Sequence, residues 1–266
     1  MLDRYNRHIN YLRVSVTDRC NFRCVYCMPQ EGVSMLRHED ILSYDEIVEV
    51  CKIAAELGVN KIRITGGEPL VRKGVVHLVS EIAKIEGITD LGMTTNGFYL
   101  DQYAKPLKEA GLMRVNVSLD TLDPEEFNRI TRGGDLDRVL KGIEAAQKAG
   151  LTPVKINTVL FDPKDDPKKQ KMLQFAREHG LEVRFIRQMN LASGEFSVVE
   201  GGTGGNCAIC NRLRLTANGY IKACLFSDEE YNVRTLGARK AVTEAVSFKP
   251  EKGTTCSHRE FYNIGG

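Results

Sequence analysis

Residues 11–27 read YLRVSVTDRCNFRCVYC, a strand-like run followed directly by three closely spaced cysteines. In the run Tyr11–Thr17 the apolar side chains fall at positions 12, 14 and 16, and polar ones fall at 13, 15 and 17. This period of two is typical of a β-strand with one apolar and one polar face. The stretch therefore predicts a strand whose carboxyl end leads into Cys20, Cys24 and Cys27.

The same strand pattern returns along the chain, with helix-like segments between successive strands. The clearest helix begins after Ser43, where Ser43 and Glu46 form a capping-box pattern, and Gly58 is placed to end it. This alternation predicts an α/β protein with a parallel sheet, either an open doubly wound sheet or a partial (β/α)6 barrel. The predicted strands are Tyr11–Thr17, Lys61–Thr65, Ile88–Thr94, Arg114–Leu119, Pro153–Leu160 and Glu182–Met189, and the other predicted helices are Gly74–Glu86, Tyr99–Ala110, Leu136–Ala149 and Pro167–His179.

One face of the predicted strands is repeatedly polar. Parallel strands covered by helices on both faces are usually apolar throughout, yet Arg13, Arg63 and Lys155 all lie on this polar face. An exposed sheet face is the alternative, although strands joined by helical crossovers are normally covered. The pattern therefore favours a barrel whose polar face lines a cavity for a polar, anionic ligand.

The composition is that of an ordinary globular protein. The chain has 266 residues, of which 42% are hydrophobic and 27% charged, and its formal net charge is only +2. This balance gives no reason to expect nucleic acid or an anionic membrane as a partner. We find neither an apolar run of about 18 residues nor a signal-peptide core near Met1, and we expect a cytoplasmic protein. In a reducing cytosol the eight cysteines indicate metal binding or catalysis rather than disulfides.

The first three cysteines follow a CxxxCxxC spacing. Iron–sulfur cubes normally take four thiolates, so Cys20, Cys24 and Cys27 could hold three corners and leave the fourth iron open to a small chelating ligand. A structural zinc site or unrelated core cysteines are the alternatives. Zinc in such sites takes four closed ligands, and no fourth Cys or His lies nearby in the sequence.

A second group of three cysteines, Cys207, Cys210 and Cys224, flanks a predicted hairpin with the turn Asn218-Gly219. A zinc site with Cys256 or His258 as fourth ligand is a second interpretation of this group. We otherwise expect Cys256 to be a free thiol in a polar tail and Cys51 to be a core residue. The preceding glycine-rich segment 193–206 lacks the features of a phosphate loop and is interpreted as flexible backbone.

The motif CNFRCVYC after a strand resembles the cluster motif of the radical S-adenosylmethionine superfamily. Gly66-Gly67-Glu68-Pro69, after the second strand, is similar to the GGEP motif of that superfamily, which meets the amino group of S-adenosylmethionine. The resemblance implies that this cofactor chelates the open iron and is cleaved to a 5′-deoxyadenosyl radical. It places the cofactor along the Tyr26 backbone, Gly66, Gly67, Glu68, Pro69, Ser118 and Met189.

The run CNRLRLTA, with a later cysteine followed by Leu-Phe, resembles the auxiliary-cluster region of the GTP 3′,8-cyclase family. This family converts GTP to 3′,8-cyclo-7,8-dihydro-GTP in the first step of molybdenum cofactor synthesis. The resemblance implies a second 4Fe–4S cluster at Cys207, Cys210 and Cys224. It implies catalytic roles for Arg212, Arg214 and the terminal Gly265 and Gly266, and GTP contacts from Arg13, Arg63, Thr94, Lys155, Arg212, Leu213 and Arg214.

The resemblance also predicts a two-part organisation and a set of partners. Residues 1–190 would form the radical-SAM barrel, and residues 191–266 a small auxiliary-cluster extension with a Gly-Gly tail. A downstream cyclic pyranopterin monophosphate synthase, a flavodoxin or ferredoxin electron donor, and a monomeric or homodimeric state are implied.

Two departures from the family pattern keep alternatives open. Only residues 190–206 separate Met189 from Cys207, where the family usually has several tens more, and Arg187-Gln188-Met189-Asn190 lacks the usual Glu. A radical enzyme acting on a peptide or another nucleotide is the closer alternative. A non-catalytic iron–sulfur or zinc protein is the more distant one.

Overall fold

The computed structural model describes residues 1–161, 166–257 and 264. The predicted strands are confirmed, with ends that differ by a few residues; the third, for example, runs from Asp90 to Thr95. The strands are β1 Tyr11–Ser15, β2 Lys61–Thr65, β3 Asp90–Thr95, β4 Arg114–Ser118, β5 Lys155–Leu160, β6 Glu182–Arg187, β7 Arg212–Leu215, β8 Tyr220–Lys222 and β9 Glu230–Asn232.

The helices lie between the strands as predicted. Ser43 caps the first helix through the Glu46 backbone N–H, and the Glu46 side chain accepts from the Ser43 backbone in return. Three short helices were not predicted: α4, which begins with an Asp123 cap before Pro124, and the two C-terminal helices α7 and α8. The helices are α1 Tyr44–Glu56, α2 Val75–Ala83, α3 Leu100–Glu109, α4 Pro124–Thr131, α5 Leu136–Lys148, α6 Asp166–His179, α7 Val233–Leu236 and α8 Ala238–Ser247.

The order of the strands decides between the two predicted architectures. In the described residues the sheet runs β6-β5-β4-β3-β2-β1-β7-β8-β9. Strands β1 to β7 are parallel to their neighbours, and β8 and β9 are antiparallel. A doubly wound sheet reverses its direction of winding near the first strand, whereas β1 to β6 here follow one another in a single direction. The fold is thus a partial (β/α)6 barrel, and its sheet is not closed.

The two faces of the strands differ as the sequence predicted. Side chains such as Leu12, Ile62, Val115 and Val117 are fully buried and pack in the apolar core beneath the helices. The opposite face carries Arg13 and Arg63, which are paired in register across β1 and β2. The core therefore lies outside the barrel strands, and the polar face lies inside.

The predicted C-terminal extension continues the same sheet. Strand β7 pairs with β1, with Arg212 opposite Tyr11 and Arg214 opposite Arg13. The predicted hairpin around Gly219 is confirmed, since β7 and β8 pair antiparallel. The boundary at residue 190 stays a prediction. None of the described helices is long and apolar enough to cross a membrane.

The glycine-rich segment 190–206 is packed rather than loose, which corrects the expectation of flexible backbone. Glu200 and Phe185 exchange two backbone hydrogen bonds of 3.0 and 3.1 Å, so the segment lies along the free edge of β6. At its other end Thr203 accepts two hydrogen bonds from Arg212, at 2.6 and 3.2 Å. The segment, here called the strap (residues 196–205), therefore bridges the gap between β6 and β7.

The strap depends on its glycines, and Gly205 provides a test. Gly205 has φ of +76°, and a Cβ there would overlap the carbonyl oxygen of Ser197. We expect Gly205→Ala to lower the free energy of unfolding by about 3 kcal/mol and to expose the strap to proteolysis. Gly180→Ala is the control, because Gly180 has φ of +64° with open space around it and should cost about 1 kcal/mol. Equal losses in the two variants would contradict a packed strap.

Candidate active site

A cavity of about 490 Å³ lies inside the partial barrel. The thiols of both predicted groups line it. Cys20, Cys24 and Cys27 follow the carboxyl end of β1, whereas Cys207 and Cys210 precede the amino end of the parallel strand β7. The two groups therefore face one cavity from opposite ends of the strands, separated by about 16 Å, the length of a five-residue strand.

The loop that carries the first thiol group is held by its backbone. Arg23 and Val25 donate their N–H groups to the carbonyls of Thr131 and Ile130, at 3.1 and 2.9 Å. The guanidinium of Arg132 donates to the carbonyls of Arg23 and Met28. These bonds fix the loop that places the three thiols.

Burial governs the acidity of the first thiol group. Burial and the nearby Glu68 carboxylate raise the pKa of Cys20 to about 12. Burial likewise raises the pKa of Cys24 well above its usual value. Such thiols ionise when a metal supplies positive charge, so three half-buried thiols beside one cavity fit the donor set of an iron–sulfur cube with an open corner.

The second thiol group lies in a more positive environment. Burial raises the pKa of Cys224. At Cys210 the same burial is outweighed by Lys249, a backbone hydrogen bond and two arginines, and the pKa of that thiol falls below its ordinary value. Among the described residues no three Cys, His, Asp or Glu side chains converge closely enough for a single metal ion.

The wall of the cavity between the thiol groups is strongly cationic. Burial, and then repulsion from Arg13 and Arg212, lower the pKa of Arg214 to about 9. Thr94 Oγ1 and Arg184 Nε are buried without a hydrogen-bond partner in the part of the chain that the structure describes. Clustered buried cations are costly without an anion, so the wall is arranged for an anionic ligand. The cations that line it are Arg13, Lys61, Arg63, Arg114, Lys155, Arg184, Arg187, Arg212 and Arg214.

The pKa of Tyr11 shows how strongly the surrounding arginines act on the groups in this wall. Its hydroxyl accepts a hydrogen bond from Arg63 Nε at 3.2 Å. Burial alone would raise the pKa of Tyr11, but the charges of Arg13, Arg63 and Arg212 lower it to about 7. This tyrosine was not singled out in the sequence, although it begins the strand whose polar face was recognised and shares that face.

We expect Tyr11 to ionise near pH 7 in the ligand-free chain, giving a tyrosinate absorbance step that Tyr11→Phe lacks. Because the folded pKa, about 7, lies below the unfolded value of about 10, ionised Tyr11 favours the folded state. The contribution, on the order of a few kcal/mol, is full above about pH 10 and is lost as pH falls through about 7. Unfolding measured against pH in both chains checks this, and a constant gap between them would contradict it.

The GGEP motif lies at the rim of the cavity, but its members are placed differently from one another. Gly66 and Gly67 line the cavity, and a Cβ on Gly66 would lie 2.8 Å from the Thr17 carbonyl oxygen. Glu68 and Pro69 do not line it. The Glu68 carboxylate is buried and accepts from Thr95 Oγ1, the Asn96 backbone and the Leu70 backbone at 2.6 to 3.0 Å. Glu68 therefore fastens two loops through its carboxylate, and its contact with the cofactor stays a prediction.

The other predicted site residues also divide into those that line the cavity and those that do not. Tyr26, Thr94, Ser118, Lys155, Met189, Arg212 and Arg214 line the cavity. Leu213 does not, because its side chain points to the opposite face of β7 and is fully buried in the core. Gly265, Gly266 and His258 lie outside the described residues. Cys256 is 1% exposed and packs with Leu191, Phe226 and Ile264, so the expectation of a polar surrounding was wrong.

Comparison with known proteins bears directly on this arrangement. Residues 14–176 match the sequence profile of the Radical SAM superfamily. A GTP 3′,8-cyclase of Peptoclostridium acidaminophilum is 41% identical over 319 aligned positions, which cover 100% of this chain and 98% of that one. A GTP 3′,8-cyclase of Petrotoga mobilis is 41% identical and 94% of each chain is covered. This chain belongs to the GTP 3′,8-cyclase family.

Two further findings describe this member of the GTP 3′,8-cyclase family. The first alignment has 319 positions against 266 residues in the chain, so that relative carries several tens of residues with no counterpart here. The fold is similar to that of Streptococcus suis SuiB bound to S-adenosylmethionine, with a TM-score of 0.62, 16% identity, and 85% of this chain and 63% of that one covered. It is also similar to anSMEcpe with bound AdoMet, with a TM-score of 0.64, 14% identity, and 91% and 81% covered.

Proposed function

We propose that this chain is a radical S-adenosylmethionine GTP 3′,8-cyclase acting in the first step of molybdenum cofactor synthesis. The observation that carries the proposal is that two thiol groups face one cation-lined cavity from opposite ends. The first group, Cys20, Cys24 and Cys27, and the second, Cys207, Cys210 and Cys224, would each hold a 4Fe–4S cluster. The wall between them would hold the triphosphate.

The chemistry of hydrogen abstraction comes from the cofactors. Cys20, Cys24 and Cys27 would hold a 4Fe–4S cluster which, with S-adenosylmethionine, would supply the radical chemistry for removing the C3′ hydrogen of GTP. The protein holds the two substrates. Gly66 packs closely against the backbone of Thr17 and Gly67 against that of Arg19, which would leave room for the cofactor. Ser118, Met189 and the Tyr26 backbone would lie along it.

The protein's own contribution to the cyclisation is placement and charge. Arg13, Arg63, Lys155 and Thr94 would bind the triphosphate and ribose, and Arg212 and Arg214 the nucleotide near the second cluster. C3′ and guanine C8 belong to one GTP molecule, so the contribution of the pocket is to hold ribose and base in the conformation in which the two carbons meet. The terminal Gly265 and Gly266 are proposed to enter the site.

The proposal also includes the protein partners and the oligomeric state of the chain. The product would pass to a cyclic pyranopterin monophosphate synthase, and a flavodoxin or ferredoxin would supply the electron. We propose a cytoplasmic monomer or homodimer.

The test is anaerobic turnover of the reconstituted chain with S-adenosylmethionine, a strong reductant and GTP deuterated at C3′. We expect 5′-deoxyadenosine that carries the deuterium, formed together with a cyclised GTP isomer detected by mass spectrometry. ATP deuterated at C3′, in place of GTP, is the control and should give no deuterium transfer. Formation of 5′-deoxyadenosine with GTP untouched would overturn the substrate assignment and favour a peptide or another nucleotide. No 5′-deoxyadenosine at all would overturn the radical chemistry.

A further inference from the structure

Lys249, just beyond α8, is buried against the loops of the second thiol group. Its side chain is 1% exposed. The ammonium donates to the carbonyl of Arg212 at 2.8 Å and to the carbonyl of Ala223. Arg212 lies two residues after Cys210, and Ala223 directly precedes Cys224. One ammonium thus joins the two chain segments that carry these thiols.

A second buried cation completes the arrangement at Cys207. Arg7 pairs with Asp3 at 2.7 Å, and both side chains are almost fully buried. The Arg7 guanidinium donates to the carbonyl of Cys207 at 2.8 Å and to those of Pro250 and Glu251 at 2.7 and 2.9 Å. Segment 249–251 and the N-terminal Arg7 therefore hold together the chain segments that carry Cys207, Cys210 and Cys224.

The electrostatic surroundings of Lys249 differ from those of the other fully buried lysine. Lys222 donates to the Ser227 carbonyl at 2.8 Å and has Glu230 as a counter-charge at 3.6 Å. In the described part of the chain, Lys249 pairs with no carboxylate. Burial lowers its pKa, and the nearby thiols of Cys210 and Cys224 oppose that shift by favouring the charged ammonium. A buried charge without a counter-charge is costly. Thiolates at Cys210 and Cys224 would supply the negative counter-charge that Lys249 lacks.

We propose that Lys249 is a positioning residue for the second cluster: it balances the thiolates of Cys210 and Cys224 and raises the reduction potential of the metal centre they hold. This rests on the proposed function, in which that centre is a 4Fe–4S cluster. Net charge and hydrogen bonds at the sulfurs set the potential of such clusters. A fixed positive charge stabilises the reduced, more negative form.

The experiment isolates the second thiol group. The full chain with Cys20, Cys24 and Cys27 replaced by alanine is reconstituted anaerobically with iron and sulfide, and a redox titration followed by electron paramagnetic resonance gives its midpoint potential. In this parent, Lys249→Met is expected to lower the equilibrium constant for one-electron reduction about tenfold, a shift of about 59 mV to more negative potential. Lys249→Arg should stay near the parent. Lys222→Met, which removes an equally buried lysine away from the thiols, should leave the potential unchanged.

Each outcome has a fixed meaning. A loaded Lys249→Met chain with the potential of the parent would overturn the proposal. If Lys249→Met loses its iron, Lys249→Arg must restore iron binding; loss in both variants while Lys222→Met stays loaded would overturn the charge assignment. A parent that takes up zinc or no metal would instead signal failure of the proposed function, before any Lys249 variant is compared.

Discussion

Cys24→Ala is expected to abolish formation of 5′-deoxyadenosine while the protein stays folded and keeps iron at its second thiol group. The two remaining thiols cannot hold the three corners of a cube that the open-iron arrangement requires. Iron per chain should fall from about eight to about four. The loop itself should persist, because its hydrogen bonds to Thr131 and Ile130 come from the backbone of Arg23 and Val25.

Cys51→Ala is the matched control for this variant. Cys51 is a fully buried thiol in the core under α1 and does not line the cavity. It should lose about 1 kcal/mol of stability and retain both iron and activity. Full cleavage of S-adenosylmethionine by Cys24→Ala, or equal damage in Cys51→Ala, would refute the assignment of the first thiol group.

Arg214→Met is expected to weaken catalysis and to strengthen the ligand-free fold at the same time. Arg214 lies opposite Arg13 in the β7–β1 register, and burial with repulsion from Arg13 and Arg212 lowers its pKa to about 9. Removing one such charge relieves repulsion, so the unfolding temperature without GTP should rise. Loss of charge-assisted hydrogen bonds to GTP, each worth about 1.5–3 kcal/mol, should reduce kcat/KM by about 10² or more.

The opposite movement of stability and activity distinguishes a ligand-binding arginine from a structural one. Arg234→Met is the control, since Arg234 forms an ion pair with Glu46 near the surface and lies outside the cavity. It should leave kcat/KM unchanged. If Arg214→Met unfolds at lower temperature and keeps its kcat/KM, the cationic wall would be structural.

Much of the fold was readable because it rests on short-range periodicity. The alternation in Tyr11–Thr17 gave both the apolar core face and the cationic face, and the Ser43 and Glu46 cap gave the start of α1. The strand order could not be read in this way. The pairing of β7 with β1 joins residues some two hundred positions apart, and nothing local in either segment specifies that contact.

The errors and omissions at the site have physical causes as well. The hydrogen bonds of the Glu68 carboxylate to Thr95 and Asn96 could not be read from the motif, because they join residues far apart in the sequence. Glycine content suggested a flexible strap, whereas Gly205 takes a left-handed turn against Ser197. Cys256 follows polar residues, yet its segment folds onto Leu191 and Phe226. Sequence patterns show which side chains share one face of a strand or helix. Contacts between distant parts of the chain decide which neighbours those side chains pack against.

The pairing of β7 with β1 also makes the chain between β6 and β7 adjustable in length. The register of β7 is set by β1, so residues added or removed in the strap do not shift Arg212 or Arg214 along the barrel. The entropy of closing a loop grows only slowly with its length, by about 0.6 kcal/mol per doubling. The connection between β6 and β7 can therefore differ in length among relatives without altering the spacing of the two metal-binding ends, provided that the packing of the strap against β6 is kept.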